Sequence, residues 1–293
     1  MTVKQALQEF QVDQQIKGNS LKTIEFYQNT ITMFSNHTAK PIEQLTIPDL
    51  KQYSMFLINK GNLSTTTVQT YIRALRAFLT WCWQEGYTDT NLSEKYRLPK
   101  AKKPVIDVLT DSEIKTLMSC FNIRQPVGLR NYCICSLMLD SGLRMNEVTT
   151  LNINHVHLPE NYIIVDGKGN KQRIVPIGLH TKKHLMKYQA FRPGNTEHQN
   201  FFLQVNTKPL KNTTVKQLFR KLKIQSNIPR LKAHLLRHTF ATRYLENGGD
   251  IYSLQVILGH TSLEMVKKYV HTTPLNIVRK YAVYSPLDTL SKQ

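Results

Sequence analysis

Cysteine is scarce in this chain: Cys82, Cys120, Cys133 and Cys135 are the four among 293 residues. So few thiols exclude a disulfide framework and suit a reducing compartment. Cys133 and Cys135 fall in the apolar run YCICSLML, where core packing is the expected role. Long apolar runs are missing too. None approaches the ~18 residues that a membrane span needs, and MTVKQALQEF lacks the hydrophobic stretch of a secretion signal. A cytoplasmic location is therefore expected. Nucleotide and zinc motifs are also absent. GKGNKQ lacks the G-x-x-x-x-G-K-[ST] spacing and precedes a strand-like segment, so ATP is not indicated. His234 and His238 have H-x-x-x-H spacing, but Leu235 stands where a metalloprotease has its glutamate. Neither a metal nor another cofactor is expected.

Acidic residues are the remaining shortage: 20 Asp and Glu face 39 Lys and Arg, giving a net charge of +19. Such an excess suits a polyanion, because every phosphate neutralised releases condensed counterions. A lipid surface fits less well. The longest basic cluster, Lys100, Lys102 and Lys103, is short, and no basic amphipathic helix with a bulky apolar face stands out. Double-stranded DNA is the expected partner. With 41% hydrophobic residues the chain can bury real cores.

Residues 1–98 read as a helical bundle. Apolar positions recur at helical spacing over 3–16, 21–34, 49–58 and 65–83. Ser20, Pro48 and Ser64 mark starts, and Gly18, Gly61 and Gly86 mark stops. The last helix carries Ser64, Thr65 and Thr66 at its N-terminus and Arg73 and Arg76 along it, all candidate DNA contacts. Residues 99–105 read as a linker, in which Lys100, Lys102 and Lys103 could track a DNA backbone. Residues 106–293 read as a mainly helical domain with a small β-sheet. Thr110 and Glu113 form a capping box there, and a second helix over 128–140 leads to another after SGLR. Segments 162–165 and 173–177 predict a hairpin with Gly169-Asn170 at its turn. Further helices are expected near 179–190, 213–226, 232–247, 251–258 and 262–270, with Gly248-Gly249 closing one and Thr261 capping the last. In the tail, Leu275, Val278 and Ala282 lie at helical spacing, giving an apolar stripe that needs a surface to cover it.

The second domain also holds a set of residues suited to one phosphodiester. Arg144 and Arg237 can neutralise and hydrogen-bond its oxygens, with His234 and His260 beside them. Glu147, three residues after Arg144, can pair with it or orient it. Lys168 lies between two glycines on the hairpin, where close approach to a ligand is easy; Lys171 and Arg173 compete for its role and are candidate DNA contacts. His234 and Arg237 share a helix face, whereas His238 is expected to pack behind the site. Tyr269 supplies a hydroxyl able to attack phosphorus, with Tyr281 and Tyr284 as rivals.

Arg144 in SGLRMNE, Lys168 in DGKGNKQR, His234 and Arg237 in AHLLRHTFAT, His260 in LGHTS, and Tyr269 nine residues later resemble the tyrosine recombinase (phage integrase) family. The family's order of Arg, Lys, His-x-x-Arg, His and Tyr is filled at all six places. The resemblance implies an N-terminal SAM-like core-binding domain and an α+β catalytic domain. It implies a 3′-phosphotyrosyl link at Tyr269, protonation of the leaving 5′-oxygen by Lys168, and strand exchange through a four-way junction. Because the phosphotyrosine conserves the bond energy, no cofactor is needed. It further implies a monomer in solution that becomes a homo-tetramer on two DNA sites, with the tail docking on a neighbouring protomer. The length leaves no room for an additional N-terminal arm-binding domain, which suits a Xer-like or transposon-resolvase-like member. Two other readings share these residues: a type IB topoisomerase-like enzyme that reseals the same strand, and a DNA-binding regulator with a degenerate site.

Overall fold

A computed structural model describes residues 1–100, 107–167, 171–192 and 197–270. The chain divides into two compact units, Met1–Pro104 and Val105–Gln293. The hairpin turn at Gly169-Asn170, Lys168, Lys102, Lys103 and the whole tail with Tyr281 and Tyr284 lie outside the described residues.

The first unit is helical: α1 (Val3–Ile16), α2 (Leu21–Ser35), α3 (Ile47–Asn59), α4 (Thr65–Gln84) and the short α5 (Leu92–Lys95). Local caps explain where they begin. The side chains of Ser20 and Ser64 accept from the backbone N–H groups of Thr23 and Thr67. Pro48 marks the start of α3 as expected, sitting in its first turn just after the N-cap of the Thr46–Asp49 capping box. The short α5 was not anticipated, since its four residues carry no readable period and hang on the Asn91 cap. Phe10, Phe34, Tyr53 and Phe78 fill the core, with Phe10 and Phe78 packed edge to face at 5.4 Å.

The second unit begins with α6 (Asp111–Ser119), started by the expected Thr110–Glu113 capping box. The next helix, α7 (Pro126–Asp140), is buried on most of its faces, including Cys133 and Cys135. The five-residue α8 (Met145–Thr149) leads to an antiparallel sheet of β1 (Val156–His157), β2 (Tyr162–Asp166) and β3 (Gln172–Pro176), in that order. Ile163, Val165 and Val175 turn into the core. Beyond the sheet come α9 (Leu179–Phe191), α10 (Asn212–Gln225), α11 (Ala233–Glu246), α12 (Ile251–Leu258) and α13 (Glu264–Lys267). Gly248 has φ +98° just past α11, as its expected role in closing that helix requires.

Two local expectations fail. The last helix is a single turn over 264–267 rather than a helix over 262–270, and Leu263, not Thr261, is its N-cap residue. The Thr261 hydroxyl instead lies 3.8 Å from Met265 Sδ. The two-residue β1 was also missed, because so short a strand is defined by its partner rather than by its own pattern. Among the described residues no helix is long and apolar enough to cross a membrane, and no cluster of three or more His, Cys, Asp or Glu could hold a metal ion.

Candidate active site

The site is organised around one buried carboxylate. Arg144 is the N-cap residue of α8, and Glu147 is that helix's third residue. Glu147 reaches back to accept from the Arg144 backbone N–H and from Arg144 Nη1, both at 2.8 Å. The first turn of α8 is thus closed by Glu147 itself. Arg173 on β3 adds a two-pronged contact, with Nη1 and Nη2 each donating to Glu147 at 3.0 Å. Arg237 on α11 brings a third guanidinium, Nη1 lying 3.9 Å from Glu147 Oε2. Burial pushes the Glu147 carboxyl up, but the bonds and charge of Arg173 and then Arg144 outweigh it and hold it below its usual value.

The end of α12 supplies the second anchor. Its last carbonyls have no partners within the helix, and guanidiniums take two of them. Arg237 Nη2 and Arg144 Nη1 donate to Leu258 O at 2.7 and 3.2 Å, and Arg173 Nε donates to Ile257 O at 2.8 Å. Arg237 Nη1 also donates to Gly142 O at 2.6 Å. Gly259 then turns the chain in the left-handed region, with φ +61°, and puts His260 next to Arg237.

Arg237 Nη2 lies 3.0 Å from His260 Nε2. A guanidinium can only donate, so Nε2 accepts and the proton of the neutral ring is on Nδ1. That Nδ1 is buried with no partner among the described residues. Burial, then the charges of Arg237 and Arg144, push the His260 pKa down to about 4, so the ring is neutral near pH 7. Burial and its charged neighbours also bring Arg237 down, to about 10, which still leaves it cationic. His234 is exposed at the start of α11, and desolvation followed by the Arg237 charge lowers its pKa.

Tyr269 is only 2% exposed and packs with Ala241, Leu254, Leu258 and Val266. Its hydroxyl lies 2.8 Å from His238 Nδ1, and Lys268 Nζ stands 4.9 Å from its ring centroid. Burial raises the Tyr269 pKa, against the opposing pull of Arg237 and Arg144. His238 therefore does not merely pack behind the site; it holds the hydroxyl. It lies one helical turn after His234 on α11, a spacing visible in H-x-x-x-H, but nothing in the sequence ties it to a partner 31 residues away.

Arg144, His234, Arg237, His260 and Tyr269 thus gather in one place, while Lys168 lies outside the described residues. Arg173 proves to be an inward-facing member of this cluster, its side chain 10% exposed, rather than an outward contact. Lys171 is exposed. In the first unit Thr65, Thr66 and Arg73 are exposed on α4 and Arg76 is partly buried, Arg73 also reaching Gln69 Oε1 at 3.3 Å. Ser64 is occupied as the α4 cap, and Lys100 is exposed.

Residues 107–275 match the model of the phage integrase family, and residues 6–89 match that of its N-terminal SAM-like domain. The tyrosine recombinase XerD of Halalkalibacterium halodurans is 29% identical over 283 residues, covering 93% of this chain and 94% of its own length. The tyrosine recombinase XerC of Chlamydia muridarum is 32% identical over 217 residues, 72% of this chain and 68% of its own. The Tn1549 transposon integrase, solved in complex with circular intermediate DNA, shares the fold. It has a TM-score of 0.79 over 96% of this chain and 99% of that one, at 21% identity. With residues 107–275 matched by the family model, the chain belongs to the phage integrase family.

Proposed function

We propose that this chain is a site-specific tyrosine recombinase whose cleavage site is the Arg144–Arg237–His260–Tyr269 cluster. One observation carries the reading: three guanidiniums meet around a single carboxylate, leaving two positive charges uncompensated (3 − 1). A phosphodiester under attack by an alkoxide or phenolate develops a second negative charge on its non-bridging oxygens. A preorganised surplus of two charges suits that transition state better than the singly charged ground state. Tyr269 is the nucleophile, and the charges of Arg237 and Arg144 oppose the burial that raises its pKa. Arg144 and Arg237 bind the non-bridging oxygens, and His260, through the contact of its Nε2 with Arg237 Nη2, holds that guanidinium in place. Attack forms a 3′-phosphotyrosyl link and releases a 5′-hydroxyl. Attack of a partner strand's 5′-hydroxyl then reverses the step.

The general acid for the leaving oxygen is Lys168, a role that rests on the family resemblance. Lys168→Ala should cleave slowly on ordinary DNA and recover on a 5′-bridging phosphorothiolate, whose sulfur leaves without protonation. Equal loss on both substrates would confine the lysine to phosphate binding. DNA is the partner, and four protomers on two duplexes form the working assembly.

The function is tested by offering the protein two duplexes that carry a site selected from the genomic fragments it retains. Recombinant products are expected from the wild type and none from Tyr269→Phe, although both bind. Relaxation of supercoiled DNA without exchange between duplexes would favour the topoisomerase-like reading instead.

A further inference from the structure

The attacking group of Tyr269 is a phenol that burial makes harder to ionise. Its proton must leave as the oxygen bonds to phosphorus, and the site is poor in groups able to take it. Arg144, Arg173 and Arg237 have no lone pair to offer. Burial and then the Arg237 and Arg144 charges lower the Lys268 pKa, but its Nζ lies over the ring, 4.9 Å from the centroid. Glu147 is engaged by two guanidiniums and the Arg144 backbone, and His260 Nε2 faces Arg237. At the hydroxyl itself stands His238 Nδ1, 2.8 Å away, with the His234 ring centred 6.4 Å from that of His238.

We propose that His238 is the base that takes the phenolic proton of Tyr269 as its oxygen attacks phosphorus. The inference rests on Tyr269 being the nucleophile. In the tautomer carrying hydrogen on Nε2, the Nδ1 lone pair receives the Tyr269 O–H. As the Oη–P bond forms, that proton passes to Nδ1. The P–O5′ bond breaks and its oxygen takes a proton from the general acid proposed above. Resealing runs the same transfers backwards, with His238 returning the proton to the leaving phenol.

The surroundings suit this role. Burial first, then Lys268, His234, Lys232 and Arg237, push the His238 pKa down to about 4, so the ring is neutral and its lone pair free near pH 7. A neutral imidazole in a cationic surround is a weak base until an anion arrives. The scissile phosphodiester brings that negative charge, so the base strengthens only when substrate is seated.

The test is single-turnover cleavage of a nicked suicide substrate by the full chain, with His238→Gln and His238→Ala beside the wild type. Glutamine offers the Tyr269 hydroxyl a hydrogen-bond acceptor but takes up no proton near neutral pH. Both variants are expected to bind DNA like the wild type and to cleave at least ~100-fold more slowly, the scale of a lost general base. Replacing Tyr269 by a fluorinated tyrosine, whose proton leaves more readily, should shrink the defect of His238→Gln. Cleavage by the glutamine variant within about threefold of wild type, or a defect indifferent to fluorination, would overturn the proposal. Covalent product from Tyr269→Phe would overturn the nucleophile assignment instead, so the two failures are distinguishable.

Discussion

Glu147 shows how one side chain can set a whole site. Its carboxylate takes hydrogen bonds from Arg144 and Arg173 and lies near Arg237, so it both fixes the guanidiniums and offsets their repulsion. Glu147→Gln removes that charge while keeping the shape. Stability should fall by about 3–5 kcal/mol, the usual cost of breaking a buried ion pair, read as a lower melting temperature. Cleavage should fall with it, and a melting temperature unchanged from wild type would rule out the carboxylate as the organiser. The Arg144–Glu147 pair was readable because side chains three positions apart at a helix start are neighbours. The Arg173 contact was not. Its partner lies 26 residues away, and nothing in GKGNKQR distinguishes an inward guanidinium from a solvated one. The tie between Tyr269 and His238 escaped for the same reason, since tertiary packing alone brings them together.

Between elements, the α12–Gly259–α13 joint does the positioning. Gly259 has φ +61°, and a Cβ there would stand 3.0 Å from Arg173 Cδ, Cζ and Nε. Gly259→Ala therefore meets left-handed strain of about 1–2 kcal/mol and presses on the guanidinium that clasps Glu147. Melting temperature and cleavage rate should both drop, whereas Gly248→Ala, with nothing within 4 Å of its Cβ, should affect melting alone. Normal cleavage by Gly259→Ala would sever the joint from the site. The long helices were legible, because caps such as Ser64 and the Thr110–Glu113 pair write their starts into the sequence. Elements of two to four residues, such as β1, α5 and α13, owe their form to neighbours and left too short a pattern to read.

Across the whole molecule, the +19 charge is spread over two units that each have their own core. If both contact one duplex, residues 1–100 and 105–293 made separately should each bind weakly. The intact chain should bind far more tightly, because its second contact is intramolecular. Its affinity should also fall with salt at a log–log slope of about −0.9 per phosphate neutralised, steeper than for either piece. Residues 105–293 binding as tightly as the full chain would contradict a shared grip. The most direct measurement on the reaction itself is to trap the covalent complex on a nicked suicide substrate, digest it, and identify the peptide that carries DNA by mass spectrometry. The expected peptide contains Tyr269, joined to a 3′-phosphate with a free 5′-hydroxyl on the released strand. DNA carried on any other residue, or joined through a 5′-phosphate, would contradict the assignment of Tyr269 as the nucleophile.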